Sequence, residues 1–102
     1  MRPTDGLKLE YEIGTGLSLT GELTLATVTS TYQQSLNYFQ SEDSIPKMIN
    51  LAKVTCVDSA GLSLMIEWLR LGKKQNTEIE FRNIPGQITP LVKLFGIDNL
   101  IH

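Results

Sequence analysis

Few residues of this chain could do chemistry, and those that could sit in one run, Val57-Asp58-Ser59-Ala60-Gly61-Leu62. An acid, a hydroxyl and two small residues at the entry to an apolar helix place a hydroxyl and unpaired backbone N–H groups at the helix's positive end. Two uses fit that arrangement. One is a helix cap, in which a short oxygen-bearing side chain satisfies orphan N–H groups. The other is a surface hydroxyl that a partner or a kinase reads. One oxygen is enough for a cap, so Asp58 and Ser59 in succession leave one available. Gly61 within the first turn costs up to about 1 kcal/mol relative to Ala, a cost that makes sense if something must approach the backbone closely there.

Catalysis around this run fails on inventory. The only His is His102 and the only Cys is Cys56, so neither a Ser–His nor a Cys–His pair can be placed. Metal-ligand clusters are missing. Gly14-Thr15-Gly16 lacks the Lys and the following helix of a phosphate loop. The acids Glu10, Glu12, Glu78 and Glu80 read as solvated strand positions, and Arg70, Lys73 and Lys74 as cations favouring a helix C-terminus. The expectation is a protein that is not an enzyme, with no catalytic residue, metal or cofactor.

Composition narrows the class further. The 102 residues make one domain, 1–102, with 41% hydrophobic and 20% charged residues, the balance of a globular chain. A net charge of −2 gives no general attraction to nucleic acid or anionic membrane. No apolar run approaches the roughly 20 residues of a membrane span, and Met1-Arg2-Pro3-Thr4-Asp5-Gly6 contains no signal-peptide core. A lone cysteine fits a reducing compartment. The expected location is the cytoplasm, with no direct membrane insertion.

The elements that must position the run are legible from periodicity. Leu7, Leu9, Tyr11 and Ile13 alternate with polar residues, and Leu17, Leu19 and Leu23 resume the alternation after Gly14-Thr15-Gly16, predicting a β-hairpin. Gly21 marks a bulge or a close backbone approach in the second strand. Val28, Tyr32, Leu36 and Phe39 predict a helix from about Ala26 to Gln40. A third strand occupies Lys47 to Leu51, and Leu51 to Val57 reads as a loop over the sheet edge, because Lys53 breaks its pattern. Ser59 to Lys74 is helical, Thr77 to Arg82 is a fourth strand, and Ile88, Leu91, Val92 and Phe95 predict a last short helix. The order ββαβαβα implies an α/β fold, a small mixed sheet with helices packed on it.

The helix after the run carries two apolar stripes. Leu62, Met65, Ile66 and Leu69 form the expected core face. Leu64, Trp68 and Leu71 form a second, with Ser63, Glu67 and Arg70 in a strip between them. Either a neighbouring helix covers the second stripe or it is an exposed protein-binding patch centred on Trp68.

With Gly21-Glu22-Leu23 ending the second strand and Asp58-Ser59-Ala60-Gly61-Leu62 opening a long helix, the chain resembles the STAS domain family over nearly its whole length. Leu71-Gly72-Lys73-Lys74-Gln75 and Leu91-Val92-Lys93-Leu94-Phe95-Gly96-Ile97 look like its MlaB-like branch, small cytoplasmic subunits of Mla phospholipid ABC transporters. The resemblance implies a binding module whose partner is the transporter's ATPase subunit. It would sit peripherally on the inner membrane through that complex and serve outer-membrane lipid asymmetry. The expected contact surface is Asp58, Ser59, Ala60, Gly61, Leu64 and Trp68. The alternative within the family is an anti-sigma factor antagonist, whose hydroxyl matching Ser59 is phosphorylated by an anti-sigma factor kinase. Where MlaB-like sequences often carry Thr and a second Gly, this chain has Ser59 and Ala60, closer to the antagonist pattern.

Overall fold

Alternating apolar residues build the N-terminal hairpin. The computed structural model describes residues 7–12, 16–40 and 45–90. In it β1 (Leu7–Glu12) pairs antiparallel with β2 (Gly16–Leu23), setting Leu9 opposite Leu19 and Tyr11 opposite Leu17 on one face. The chain then runs through helix α1 (Val28–Ser35), a 3₁₀ turn (Leu36–Tyr38), β3 (Met48–Val57), helix α2 (Ser59–Lys74), β4 (Glu80–Arg82) and a second 3₁₀ turn (Gly86–Ile88). The sheet order is β1-β2-β3-β4, with β2–β3 and β3–β4 parallel, so α1 and α2 serve as the crossover connections that parallel neighbours require. This is the expected α/β class with a small mixed sheet.

The segment 51–57, read from sequence as a loop, is instead the last seven residues of a ten-residue strand. Its irregular pattern has a physical cause. Against β2, the register shifts between Ser18 and Thr20 and again between Gly21 and Glu22, each time leaving one extra residue in β3. Two bulges therefore move the buried positions from a strict period of two to Ile49, Leu51, Val54 and Val57. Gly21 supports the second bulge with φ of 116°, a conformation that favours glycine.

The first helix is shorter than its spacing predicts. Its α-helical part ends at Ser35, and residues 24–27 form a turn before it. The inward positions of α1 are the small polar Thr31 and Ser35, while Phe39, beyond the 3₁₀ turn, is buried in the core. The Ser35 hydroxyl donates to the Tyr32 carbonyl at 2.7 Å and accepts from Trp68 Nε1 at 2.8 Å, pinning α1 to α2 through a buried bond. Tyr38 stacks on Tyr11 of β1 with centroids 5.0 Å apart, and Trp68 lies 6.5 Å from Phe81 of β4. Both helices thus cover the same apolar sheet face.

Of the two alternatives for the second stripe, cover by a neighbouring helix is the one observed, and no exposed patch is centred on Trp68. Trp68 is fully buried and Leu64 is 4% exposed, whereas Ile66 and Leu69, assigned to the core stripe, are only half-buried. At about 100° per residue Met65 and Trp68 are only some 60° apart. The two stripes are therefore flanks of one wide buried arc, closed by α1 on one side and the sheet on the other. The predicted fourth strand shortens to Glu80–Arg82. The predicted last helix lies outside the described residues beyond Pro90.

Replacing Trp68 with Ala should cost about 3–5 kcal/mol in urea unfolding, the range for an aromatic removed from a packed core. Ser35→Ala should cost about 1–3 kcal/mol by leaving the indole N–H buried without a partner. Wild-type midpoints for both would contradict the pinning role.

Candidate docking edge at the start of the second helix

Asp58 occupies the N-cap of α2 with extended backbone angles, φ −108° and ψ −171°. One carboxylate oxygen, Oδ1, accepts from the Gly61 N–H at 2.9 Å, satisfying an orphan donor of the first turn. The other, Oδ2, accepts from the Leu25 N–H at 3.0 Å, 33 residues away in sequence. The cap therefore also ties α2 to the turn that follows β2. The Asp58 N–H reaches the Leu23 carbonyl at 3.4 Å, and the Val57 N–H donates to Gln87 Oε1 at 2.9 Å. Strand ends, helix start and both flanking turns meet at this point.

Desolvation alone would raise the Asp58 pKa. Backbone N–H donors, Leu25 first and then Gly61, Ala60 and its own, outweigh it and hold the carboxyl below its ordinary value of 3.8. Gly61 has a different reason for being there. A Cβ at its position would stand 2.0 Å from the Leu23 carbonyl oxygen, so the close approach that Gly61 permits is α2 against the end of β2, within the molecule.

The expected contact residues divide accordingly. Ser59, the first residue of the helix, is exposed, and Asp58 and Ala60 are half-buried. Gly61, Leu64 and Trp68 are buried and present nothing to a partner. The outward face of α2 continues from Ser59 to Ser63 and Arg70, with Arg70 paired to Glu67. Sequence reasoning missed Leu25, which is 75% exposed although large and apolar. No periodicity marks a single leucine in a turn, and its link to Asp58 is visible only in three dimensions. A separate groove of about 590 Å³ on the sheet is lined by Glu10, Ser18, Asn50 and Lys53 among others and includes none of the nominated residues.

Exposed at this edge are Ser59 and the Leu25 side chain, beside a carboxylate with both oxygens engaged. The described residues contain no group of three His, Cys, Asp or Glu able to hold a metal ion, and no helix among them is long and apolar enough to cross a membrane.

Gly61→Ala should lower the melting temperature by several degrees, since either the helix start or the Leu23 carbonyl must move. An unchanged melting temperature would remove the close-approach argument. For Asp58, a folded-state pKa below the unfolded one contributes stability that is present above pH 3.8 and lost as pH falls through the lower folded-state value. Acid titration of Asp58→Asn should therefore show a shallower loss of stability below pH 3.8 than wild type, and parallel curves would contradict the assignment.

Three comparisons bear on this geometry. The family described as "Mlab, STAS domain" matches residues 12–102. The intermembrane phospholipid transport system binding protein MlaB of Haemophilus influenzae is 33% identical over 88 residues, covering 83% of each chain. The crystal structure of an anti-sigma factor antagonist from Mycobacterium paratuberculosis superposes with a TM-score of 0.67 at 21% identity, covering 97% of this chain and 86% of that one. At that identity the likeness speaks for the fold alone. The motif at the start of α2, the sheet that carries it and the match over 12–102 together place the chain in the STAS domain family.

Proposed function

We propose that this chain is a non-catalytic STAS subunit that binds and supports the ATPase of an Mla-type phospholipid ABC transporter. In this reading it works in the cytoplasm, peripheral to the inner membrane through the transporter, and contributes to outer-membrane lipid asymmetry. The observation that carries it is the 33% identity to a phospholipid transport system binding protein over 83% of both chains. Geometry supports a contact role for the start of α2. Ser59 is accessible there, and Leu25 stands on the turn bonded to Asp58. A partner seated on that edge would cover an apolar side chain and hydrogen-bond a hydroxyl, the mixture typical of interface cores and rims.

A second reading follows from Ser59 itself. Its exposed hydroxyl, next to a carboxylate and at a helix N-terminus, is the kind of group a kinase modifies in anti-sigma factor antagonists. A phosphate there would add about −1.5 to −2 charge beside Asp58 and repel a partner surface suited to the unmodified edge. The two readings share one docking edge and differ in the partner and in the switch.

Co-expression with the ATPase subunit should yield a stable complex, and Ser59→Glu should weaken it about tenfold in calorimetry, within the range of a central interface residue. Failure of the wild-type chain to co-purify with the ATPase would remove the transporter reading. Peptide-level mass spectrometry of the chain isolated from its native cells decides between the two: the transporter reading expects no phosphate on Ser59, and phosphate on Ser59 favours the antagonist reading.

A further inference from the structure

Leu25 is the exposed large hydrophobic residue among those described, at 75% exposure. Single exposed apolar side chains are ordinary on protein surfaces, but the way this one is held is not. The Thr27 and Val28 N–H groups both close on the Thr24 carbonyl, at 2.9 and 2.8 Å. The buried Thr27 hydroxyl donates to the Glu22 carbonyl at 2.8 Å and accepts from the Thr24 N–H at 3.1 Å. The Leu25 N–H is taken by Asp58. A turn with so many of its polar groups engaged has little freedom to fold the leucine down onto the core.

The chemistry of the turn's neighbours points to what would cover it. The charged residues bonded to this turn, Glu22, which is exposed, and Asp58, which is half-buried, are both acidic, and no Lys or Arg occurs in residues 22–40 or 54–69. An apolar side chain flanked by acids suits a protein surface with a leucine-sized apolar pocket and a basic rim.

We infer that Asp58 is a positioning residue for docking: its second carboxylate oxygen holds the 24–27 turn so that Leu25 enters an apolar, basic-rimmed pocket on the ATPase subunit. The inference rests on the transporter reading above and deepens it. Asp58 then has two separable duties, capping α2 through Oδ1 and presenting Leu25 through Oδ2.

Serine separates them, because its short side chain caps a helix as well as aspartate does but does not extend to a second turn. The experiment uses the full chain with the purified ATPase subunit, measuring affinity by calorimetry and the Leu25 amide order parameter by ¹⁵N relaxation. Asp58→Ser should keep the chain folded with only a modest drop in melting temperature from the lost Leu25 bond, lower the Leu25 order parameter below the roughly 0.85 of rigid backbone, and weaken binding about tenfold. Leu25→Ala should weaken binding about tenfold with the order parameter unchanged. Wild-type affinity in Leu25→Ala, or an unchanged order parameter in Asp58→Ser, overturns the inference while the transporter reading stands. A wild-type chain that fails to bind the ATPase overturns the transporter reading instead.

Discussion

The close seating of α2 on the end of β2 is the constraint on which the rest of the molecule depends. Gly61 lets the first turn of the helix lie against the Leu23 carbonyl, a contact that no side chain larger than hydrogen tolerates. Once the helix starts there, the neighbouring parts have fixed places. Asp58 reaches both its own helix and the turn after β2, Trp68 points between the sheet and α1, and Ser59 faces outward. Core packing and surface display are set by one backbone approach.

That coupling holds the edge at the start of α2 in place although Leu25 is the one large apolar side chain exposed among the described residues. The buried apolar residues of α2, Leu62, Leu64, Met65 and Trp68, are used in the core. What is left for a partner is a ridge of small and polar residues beginning at Ser59, together with one leucine raised on a hydrogen-bonded turn. Such a surface exposes little apolar area to water when free, which limits self-association, and still offers an anchor when a partner supplies the pocket.

Much of this architecture was legible in the residues. Alternation in Leu7 to Leu23 defined the hairpin, the Asp58–Leu62 run defined the helix start, and both carried the likeness to the STAS family. Two features resisted. The bulges of β3 hide a central strand because each extra residue shifts the alternation, so Lys53 reads as an interruption when it is one of the inserted positions' exposed neighbours. The stripes of α2 appear separate because sequence spacing alone does not say how wide the buried arc is, and the polar Ser35 that receives the indole N–H sits on another helix. At the candidate site, Asp58 and Ser59 were visible as a cap with a spare hydroxyl. Leu25 was not, because its meaning comes from a bond spanning 33 residues.

The central claim is that the molecule meets its partner with the edge formed by the 24–27 turn and the first turns of α2. Amide hydrogen exchange of the chain alone and bound to the ATPase subunit tests it most directly. The account predicts that protection on binding concentrates in residues 24–26 and 59–63. Protection concentrated instead on the polar sheet strands, around Lys8, Glu10 and Arg82, with residues 24–26 and 59–63 unchanged, would contradict it.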